Sequence, residues 1–295
     1  VLVNEDVLKP GKYPVRVQAL GPDGYRALDT SVTVEIPETL TRPEPPFAKQ
    51  VFSKDVKLDG PAGSYKLFAF FEERAAAEGG DYSFWVDDPA TMPKVDSTVT
   101  LWGQDQELAR CLESRGIKTQ AFGPGPGSNE VILVGKVPGD DFSALTSRIE
   151  AGATAVFLCP AVFARGNQPT ALLPLENKGS LVTVDDWLYQ NNDWAKSHPI
   201  FKGLPTGLLD YQFYREILGN RFFSGQATPD EAVAGMINTA LGYNSGLTVA
   251  VYRRGQGRVV LNSLLVRENV SVETPHPVAE RLLRNMLNFA RAEAR

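Results

Sequence analysis

Three residues have side chains that could form a nucleophilic catalytic site. Cys159 ends a short apolar run, His276 precedes a helical segment, and Glu280 follows four residues later. A thiolate would attack, the imidazole would take the proton, and the carboxylate would orient the imidazole. Pro160 opposes this hypothesis because it has no backbone N–H for an oxyanion hole. The alternative, which we favour, is that Cys159 is a small buried apolar residue at a strand end.

A second set of residues is expected to line a ligand cleft. In an open parallel sheet, ligands bind beyond the carboxyl ends of the strands, where the segment after Trp102 and the segment after Cys159 should meet. Tryptophan faces could also stack on sugar rings, although large aromatic side chains are more often buried in packing or interfaces. The cleft candidates are Trp102, Gln104, Asp105, Asp186, Trp187, Trp194 and His198.

Other kinds of chemistry find little support in the sequence. The pairs Asp185-Asp186 and Asp87-Asp88 are adjacent acids, not the two opposed carboxylates of a glycosidase. The segment 122–129 lacks the ending of a phosphate-binding loop and precedes a strand, so it is expected to be a stiff connection. Two cysteines and two histidines without a clustered spacing predict no metal site. We expect no cofactor.

Length and composition indicate an ordinary globular chain of two domains. The 295 residues include 43% hydrophobic and 22% charged residues, with a net charge of −5. The densest basic group is Arg253, Arg254 and Arg258, which is too small a patch for nucleic-acid binding. No apolar run approaches the roughly 20 residues that span a bilayer. The chain begins at Val1 within a strand-like run, so we expect it to be a piece of a longer protein.

Residues 1–92 are predicted to form an Ig-like β-sandwich. Apolar residues alternate with polar ones, and a repeat with an offset of 52 residues aligns Gly11-Lys-Tyr13 with Gly63-Ser-Tyr65. Two such copies would supply about six strands, enough for one small sandwich. The alternative is that residues 1–37 end a truncated upstream sandwich.

Residues 93–295 change to alternating strands and helices. Strand-like runs at 98–102, 117–122, 130–134 and 153–159 occur together with helical segments at 104–115 and 140–151, and an amphipathic helix is expected near 277–294. This order predicts a three-layer, flavodoxin-like α/β domain with a mainly parallel sheet. Residues near 163–235 do not follow the alternation and are expected to be an inserted segment.

Two segments resemble the C-terminal region of glycoside hydrolase family 2-like proteins, which are β-galactosidase-like and β-mannosidase-like enzymes. They are Trp187–Glu216, which includes the sequence HPIFKGLP, and Gly255–Val260. The resemblance implies a catalytic barrel upstream in the same polypeptide, then a sandwich and a class I glutamine amidotransferase-like, β-galactosidase trimerisation-like or ThuA-like domain. His276-Pro277 is similar to part of the amidotransferase motif, but Cys159 lacks the glycines of that family's nucleophile turn.

The function that the resemblance implies is that of a non-catalytic accessory portion of a carbohydrate-active enzyme, serving assembly, positioning or sugar contact. The barrel's catalytic glutamates match no residue of this chain. The alternatives are a carbohydrate-binding module and a degenerate or active amidotransferase-like enzyme that uses Cys159. We expect the upstream barrel, carbohydrate and a second copy of the chain as partners, with no nucleic acid and no membrane span. The resemblance also implies an extracellular or periplasmic location.

Overall fold

The computed structural model describes residues 2–4, 8–36, 47–73, 79–124, 129–184, 192–239 and 243–292. The chain divides into two compact units, Val1–Asp88 and Pro89–Arg295. Each unit has its own sheet and its own hydrophobic core, so each is described by itself.

The first unit consists of two long hairpins placed side by side. Its strands are β1 (Leu2–Asn4), β2 (Gly11–Leu20), β3 (Arg26–Ile36), β4 (Phe47–Lys49), β5 (Gly63–Phe71) and β6 (Gly80–Val86). The four long strands form an antiparallel sheet in the order β3-β2-β5-β6, and β1 pairs with β4. The turn between β2 and β3 places Asp23 and Gly24 at positive φ, a conformation that Gly and Asp tolerate. The two repeat copies therefore correspond to the two hairpins.

One face of this sheet carries the core of the first unit. Val15, Val17 and Val34 are buried there because every second side chain of a strand points to the same face. Leu8 and Phe52, which lie outside the four strands, pack against that face.

The predicted Ig-like β-sandwich is wrong. The described residues of the first unit form one four-stranded sheet and one short two-stranded pair, not two packed sheets of comparable size. Residues 50–62 lie between β4 and β5 and form no strand, so they cover apolar surface without adding a second sheet. Alternation in the sequence predicted the strands but could not show which of them pair.

The second unit is built on a large mixed sheet. Its strands are β7 (Val99–Trp102), β8 (Thr119–Ala121), β9 (Val131–Val134), β10 (Thr154–Phe157), β11 (Lys178–Thr183), β12 (Asn192–Ala195), β13 (Gly207–Leu208), β14 (Arg221–Gln226), β15 (Glu231–Asn238), β16 (Asn244–Arg254) and β17 (Gly257–Asn262). The helices are α1 (Gln106–Ser114), α2 (Phe142–Glu150), the single turn α3 (Tyr211–Tyr214) and α4 (Pro277–Arg291). None of the described helices is long and apolar enough to cross a membrane.

The prediction of a flavodoxin-like α/β domain with a mainly parallel sheet is also wrong. Among the described strands, only β8, β7, β9, β10 and β17 run parallel, in that order. Strands β16, β15, β12 and β13 then extend the sheet antiparallel, while β14 pairs with β16 and β11 with β14. Four described pairings are parallel and six are antiparallel.

The antiparallel half has two physical causes. The turn Gly255-Gln256 is too short for a crossover connection, so β16 and β17 must form a hairpin. In addition, residues 163–235, which showed no regular alternation, contribute β11 to β14 and the start of β15. The segment expected to be an insertion therefore supplies strands to the same sheet.

The helices of the second unit cover the sheet on both faces. Helices α1 and α4 contribute buried residues to one cluster, with Leu108 and Leu282 among them. Helix α2 contributes Leu145 and Ile149 to the cluster on the opposite side. Asp105 and Asp141 begin α1 and α2 as N-caps, because each accepts a hydrogen bond from a backbone N–H of the first turn.

Candidate functional site

The carboxyl edge of the parallel strands was the predicted location of a ligand cleft. Trp102 ends β7 and is only 3% exposed, and its ring packs edge-on against Phe142 at a centroid distance of 5.2 Å. Gln104 is exposed two residues later, and Asp105 is buried. Of these three cleft candidates, only Gln104 is open to solvent.

Asp105 is fully engaged by its surroundings. Its carboxylate accepts hydrogen bonds from Arg267 Nε at 2.7 Å and Arg267 Nη2 at 2.6 Å. It also accepts from the backbone N–H groups of Lys136 at 3.0 Å and Leu108 at 3.1 Å. Burial works to raise the pKa of Asp105, but the hydrogen bonds from Arg267 and the two N–H groups outweigh it and lower the pKa. The carboxylate is thus held ionised as a structural anchor.

Arg267 connects this anchor to the surface. Its Nη2 also lies 2.9 Å from Glu107 Oε2, and that carboxylate binds Lys136 Nζ at 3.0 Å. The side chain of Arg267 is 3% exposed, so an unpaired guanidinium there would be costly. Sequence reasoning missed Arg267, whose only signal is a charge within the apolar stretch 259–270.

The three nucleophilic candidates are not joined by hydrogen bonds among the described residues. Cys159 is buried, which raises the pKa of its thiol, and the nearby charges are Glu268 and Arg221. His276 has a buried Nδ1 without a partner in the described structure, and burial lowers its pKa while Glu216 raises it.

Glu280, the third member of the trio, is engaged elsewhere. Its Oε2 binds Arg115 Nε at 3.0 Å and its Oε1 binds Arg284 Nη2 at 2.8 Å, with all three side chains mostly buried. The carboxylate links α4 to the end of α1 and does not orient His276.

Asp186 and Trp187 lie outside the described residues. Trp194 is half-buried on β12 and lies opposite Gly235 on β15 and Leu208 on β13. A Cβ at Gly235 would come within 2.7 Å of the indole, so the ring rests closely on that glycine. Leu208 is 73% exposed beside it. Trp194 therefore belongs to the antiparallel edge of the sheet, away from Trp102.

His198 is a sequence candidate that contacts two residues of a cleft, Glu231 and Phe289. Its Nδ1 accepts the backbone N–H of Ile200 at 3.2 Å, so the proton is on Nε2, which lies 2.8 Å from Glu231 Oε2. Its ring centroid is 4.9 Å from that of Phe289 on α4. The hydrogen bond and the ring contact tie the turn at 198–203 to both β15 and α4.

This cleft lies at the start of β15 and β17, the end of β16 and the C-terminal half of α4. It has a volume of about 990 Å³, at the upper end of what small-molecule sites usually enclose. Its lining consists of Thr91, Pro93, Pro199, Lys202, Gly203, Asp230, Glu231, Val251, Arg253, Arg258, Arg281, Asn285, Asn288, Phe289 and Ala292. We call it the α4 cleft.

The polar wall of the α4 cleft is held rigidly by α4. Asn285 donates through Nδ2 to the carbonyls of Ile200 at 3.1 Å and Lys202 at 2.9 Å. Arg281 donates to the carbonyl of Thr91 at 3.1 Å and to its hydroxyl at 2.7 Å. These bonds fix the turn 198–203 and the segment before β7 around the opening, so the cleft is preformed.

Arg258 forms the floor of the α4 cleft. Its Nη2 donates to the carbonyls of Phe289 and Ala290, each at 3.2 Å, and of Ala292 at 2.5 Å, all at the end of α4. The guanidinium also lies 4.9 Å from the centroid of the Phe289 ring, a cation–π distance. Burial lowers the pKa of Arg258, and Glu231 works in the opposite direction.

The sequence signal for this site was the basic group Arg253, Arg254 and Arg258. Only the register of the β16–β17 hairpin shows that Arg253 lies directly opposite Arg258. Arg254 belongs to a different environment, where it binds Glu150 at 2.9 Å. The described residues contain no group of three His, Cys, Asp or Glu side chains that could hold a metal ion.

Comparisons with known proteins give only distant likenesses. No protein-family profile matches the chain, and no curated protein matches it in sequence. Among solved structures, an exo-β-1,4-mannosidase from Opitutaceae bacterium strain TAV5 is 14% identical over 58% of this chain, with a TM-score of 0.35. A cold-adapted β-galactosidase from Rahnella sp. R3 is 11% identical over 68% of this chain, with a TM-score of 0.38.

This chain spans 32% of the length of each of those two glycosidases. A cytoplasmic protein from Salmonella typhimurium LT2 is 10% identical over 79% of this chain and 97% of its own length, with a TM-score of 0.39. At such scores and identities, the likenesses do not establish a shared fold or function.

Proposed function

We propose that the chain is a non-catalytic accessory portion of a glycoside hydrolase family 2-like, carbohydrate-active enzyme. The observation that carries this proposal is that two acidic residues are engaged in ion pairs, Asp105 from the predicted ligand cleft and Glu280 from the nucleophilic trio. Asp105 is held by Arg267, and Glu280 is held by Arg115 and Arg284. A general acid or base must be able to exchange a proton with a substrate, which neither group can do from within these pairs.

The identity of the parent enzyme class is supported by the sequence resemblance at Trp187–Glu216 and Gly255–Val260. The second of these segments contains the β16–β17 turn and the first residues of β17, including Arg258, at the floor of the α4 cleft. Part of the first, Pro199–Gly203, forms its rim. The residues that resemble the enzyme class thus include part of the cleft wall.

The role proposed for the accessory portion is ligand contact through the α4 cleft, next to a catalytic barrel of the same polypeptide. The cleft is preformed and lined by guanidinium and amide groups, which hydrogen-bond readily to hydroxyl groups. An extracellular or periplasmic location is part of the proposal and rests on the resemblance alone.

Hydrolysis assays test the non-catalytic character directly. The purified chain would be incubated with nitrophenyl β-galactoside and nitrophenyl β-mannoside, with buffer alone as the background. We expect no release of nitrophenol above the background. Turnover that disappears in an Asp105→Asn or Glu280→Gln variant with an unchanged circular dichroism spectrum would refute the proposal.

A further inference from the structure

The hairpin register brings two arginines together on one wall of the α4 cleft. Arg253 on β16 is the cross-strand partner of Arg258 on β17, so both side chains stand on the same face of the sheet. Both also line the α4 cleft. Like charges directly opposite each other on paired strands destabilise a sheet, so this arrangement costs stability in the free protein.

The acidic residues near the two arginines do not neutralise Arg258. Asp230 accepts the backbone N–H of Arg253 at 2.7 Å, and its carboxylate lies 3.7 Å from Arg253 Nε. Glu231 is paired with His198. Within the described residues no carboxylate lies in ion-pair distance of Arg258, whose Nη2 contacts only helix carbonyls.

The α4 cleft therefore has a positive balance within an acidic chain. Its charged lining residues are the four cations Lys202, Arg253, Arg258 and Arg281 and the two acids Asp230 and Glu231, a formal balance of +2. The whole chain has a net charge of −5. A concave site with one sign of excess charge attracts and concentrates ligands of the opposite sign.

We propose that the α4 cleft binds a small acidic sugar, whose carboxylate or phosphate group lies between Arg253 and Arg258. A guanidinium group binds either kind of oxyanion by charge-assisted hydrogen bonds. Arg258 would contribute its Nη1, because its Nη2 and Nε already donate to carbonyls near the end of α4 and to Thr154. Binding would relieve the repulsion between the two arginines, which a neutral ligand could not do.

The remaining lining residues favour a ligand that carries hydroxyl groups, such as a sugar. The Nδ2 groups of Asn285 and Asn288 are used by backbone carbonyls of the rim. Their Oδ1 atoms have no partner among the described residues, so they remain available to accept hydrogen bonds from hydroxyl groups. Gly203, at φ +77, keeps the opening free of a side chain.

Calorimetric titration of the whole chain tests the proposal. The probes are glucuronate, glucose 6-phosphate and, as the neutral control, glucose, at matched ionic strength because salt screens such interactions. We expect at least one acidic probe to bind about tenfold or more tighter than glucose. The stronger of the two acidic probes identifies the preferred acid group.

Two variants locate the binding. Arg253→Gln removes one of the opposed charges at a side chain that is 63% exposed, so the fold should be retained. The dissociation constant for the acidic probe should rise about fivefold or more in this variant. The matched control, Arg165→Gln, changes an exposed arginine outside the cleft lining and should leave binding unchanged.

Three results would overturn the proposal: equal binding of glucose and the acidic probes, no binding of any probe at about 10 mM, or undiminished binding by Arg253→Gln. The unfolding temperature of each free variant confirms that it is folded. Acidic-sugar binding rests on the ligand contact proposed for the α4 cleft. The two remain distinguishable, because glycoside turnover would refute the non-catalytic role and leave anion binding intact.

Discussion

Arg267 and Asp105 are 162 residues apart in sequence and form a buried, two-pronged ion pair in the structure, with N–O distances of 2.7 and 2.6 Å. The pair joins the segment after β17 to the N-cap of α1. Because the Asp105 carboxylate also accepts two backbone N–H groups, its charge is satisfied on all sides. At the edge of the sheet where a ligand cleft was expected, Asp105 is thus part of a structural ion pair.

Removing one member of the Asp105–Arg267 ion pair should strongly destabilise the second unit. Asp105→Ala leaves the Arg267 guanidinium buried without its main partner, and a loss of about 3–5 kcal/mol in the free energy of unfolding is expected. Chemical denaturation followed by tryptophan fluorescence measures this loss, because the buried Trp102 lies three residues before Asp105 and becomes exposed on unfolding.

The double variant Asp105→Ala/Arg267→Met is the control for the interaction between the two side chains. It removes both charges, so its loss of stability should be smaller than the sum of the two single losses. Additive losses would show that the two side chains do not interact energetically.

A glycine keeps space open for the same pair. A Cβ at Gly135 would lie 2.2 Å from Asp105 Oδ2. Gly135→Ala should therefore displace the carboxylate and destabilise the protein by about 1–3 kcal/mol. Gly123→Ala is the matched control, since a Cβ there meets nothing within 4 Å. Equal unfolding temperatures for the two variants in differential scanning calorimetry would contradict the close packing.

Outside residues 163–235, the elements of the second unit were predictable from sequence, and their pairing was not. Short apolar runs located β7, β9 and β10, and a period of 3.6 residues located α4, because buried surfaces must be apolar. A strand pattern does not show whether the neighbouring strand runs parallel or antiparallel, so the antiparallel half of the sheet was not predicted. Only the short turn at Gly255-Gln256 carried that information.

The candidate site was harder to predict than the fold. The acids and thiol picked out by residue type proved to be buried or paired, because residue type does not show which partner a side chain finds. His198 was selected because of the segment in which it lies, and the sequence did not predict its contact with Glu231. Arg253 and Arg258 form a pair only through the hairpin register, which depends on where the turn begins.

The two cysteines should be unreactive in the folded chain. Cys111 is 0% exposed and Cys159 is 8% exposed, and burial raises the pKa of both thiols, so little thiolate is present at neutral pH. A thiol reagent that produces a coloured product should label neither cysteine within minutes at pH 7, and both after unfolding in guanidinium. Rapid labelling of Cys159 in the folded chain would instead indicate an activated nucleophile.

Asp193 on β12 should make stability depend on pH in a direction opposite to that of a paired carboxylate. It is 5% exposed, its Oδ1 has no partner in the described structure, and burial raises its pKa to about 7. Between pH 4 and 7 the unfolded chain releases this proton while the folded chain keeps it, so the free energy of unfolding should fall as the pH rises. Above pH 7 the free energy of unfolding should stop falling, after a total decrease of about 2–4 kcal/mol.

Asp193→Asn isolates this contribution, because the amide has a similar shape and no proton to release. The variant should be more stable than the original chain at pH 8 and nearly equal to it at pH 4, where Asp193 is protonated in the folded state. Urea unfolding at both pH values measures the difference. Because other groups are expected to titrate alike in the two chains, an unchanged difference between pH 4 and pH 8 would show that folding does not raise the pKa of Asp193.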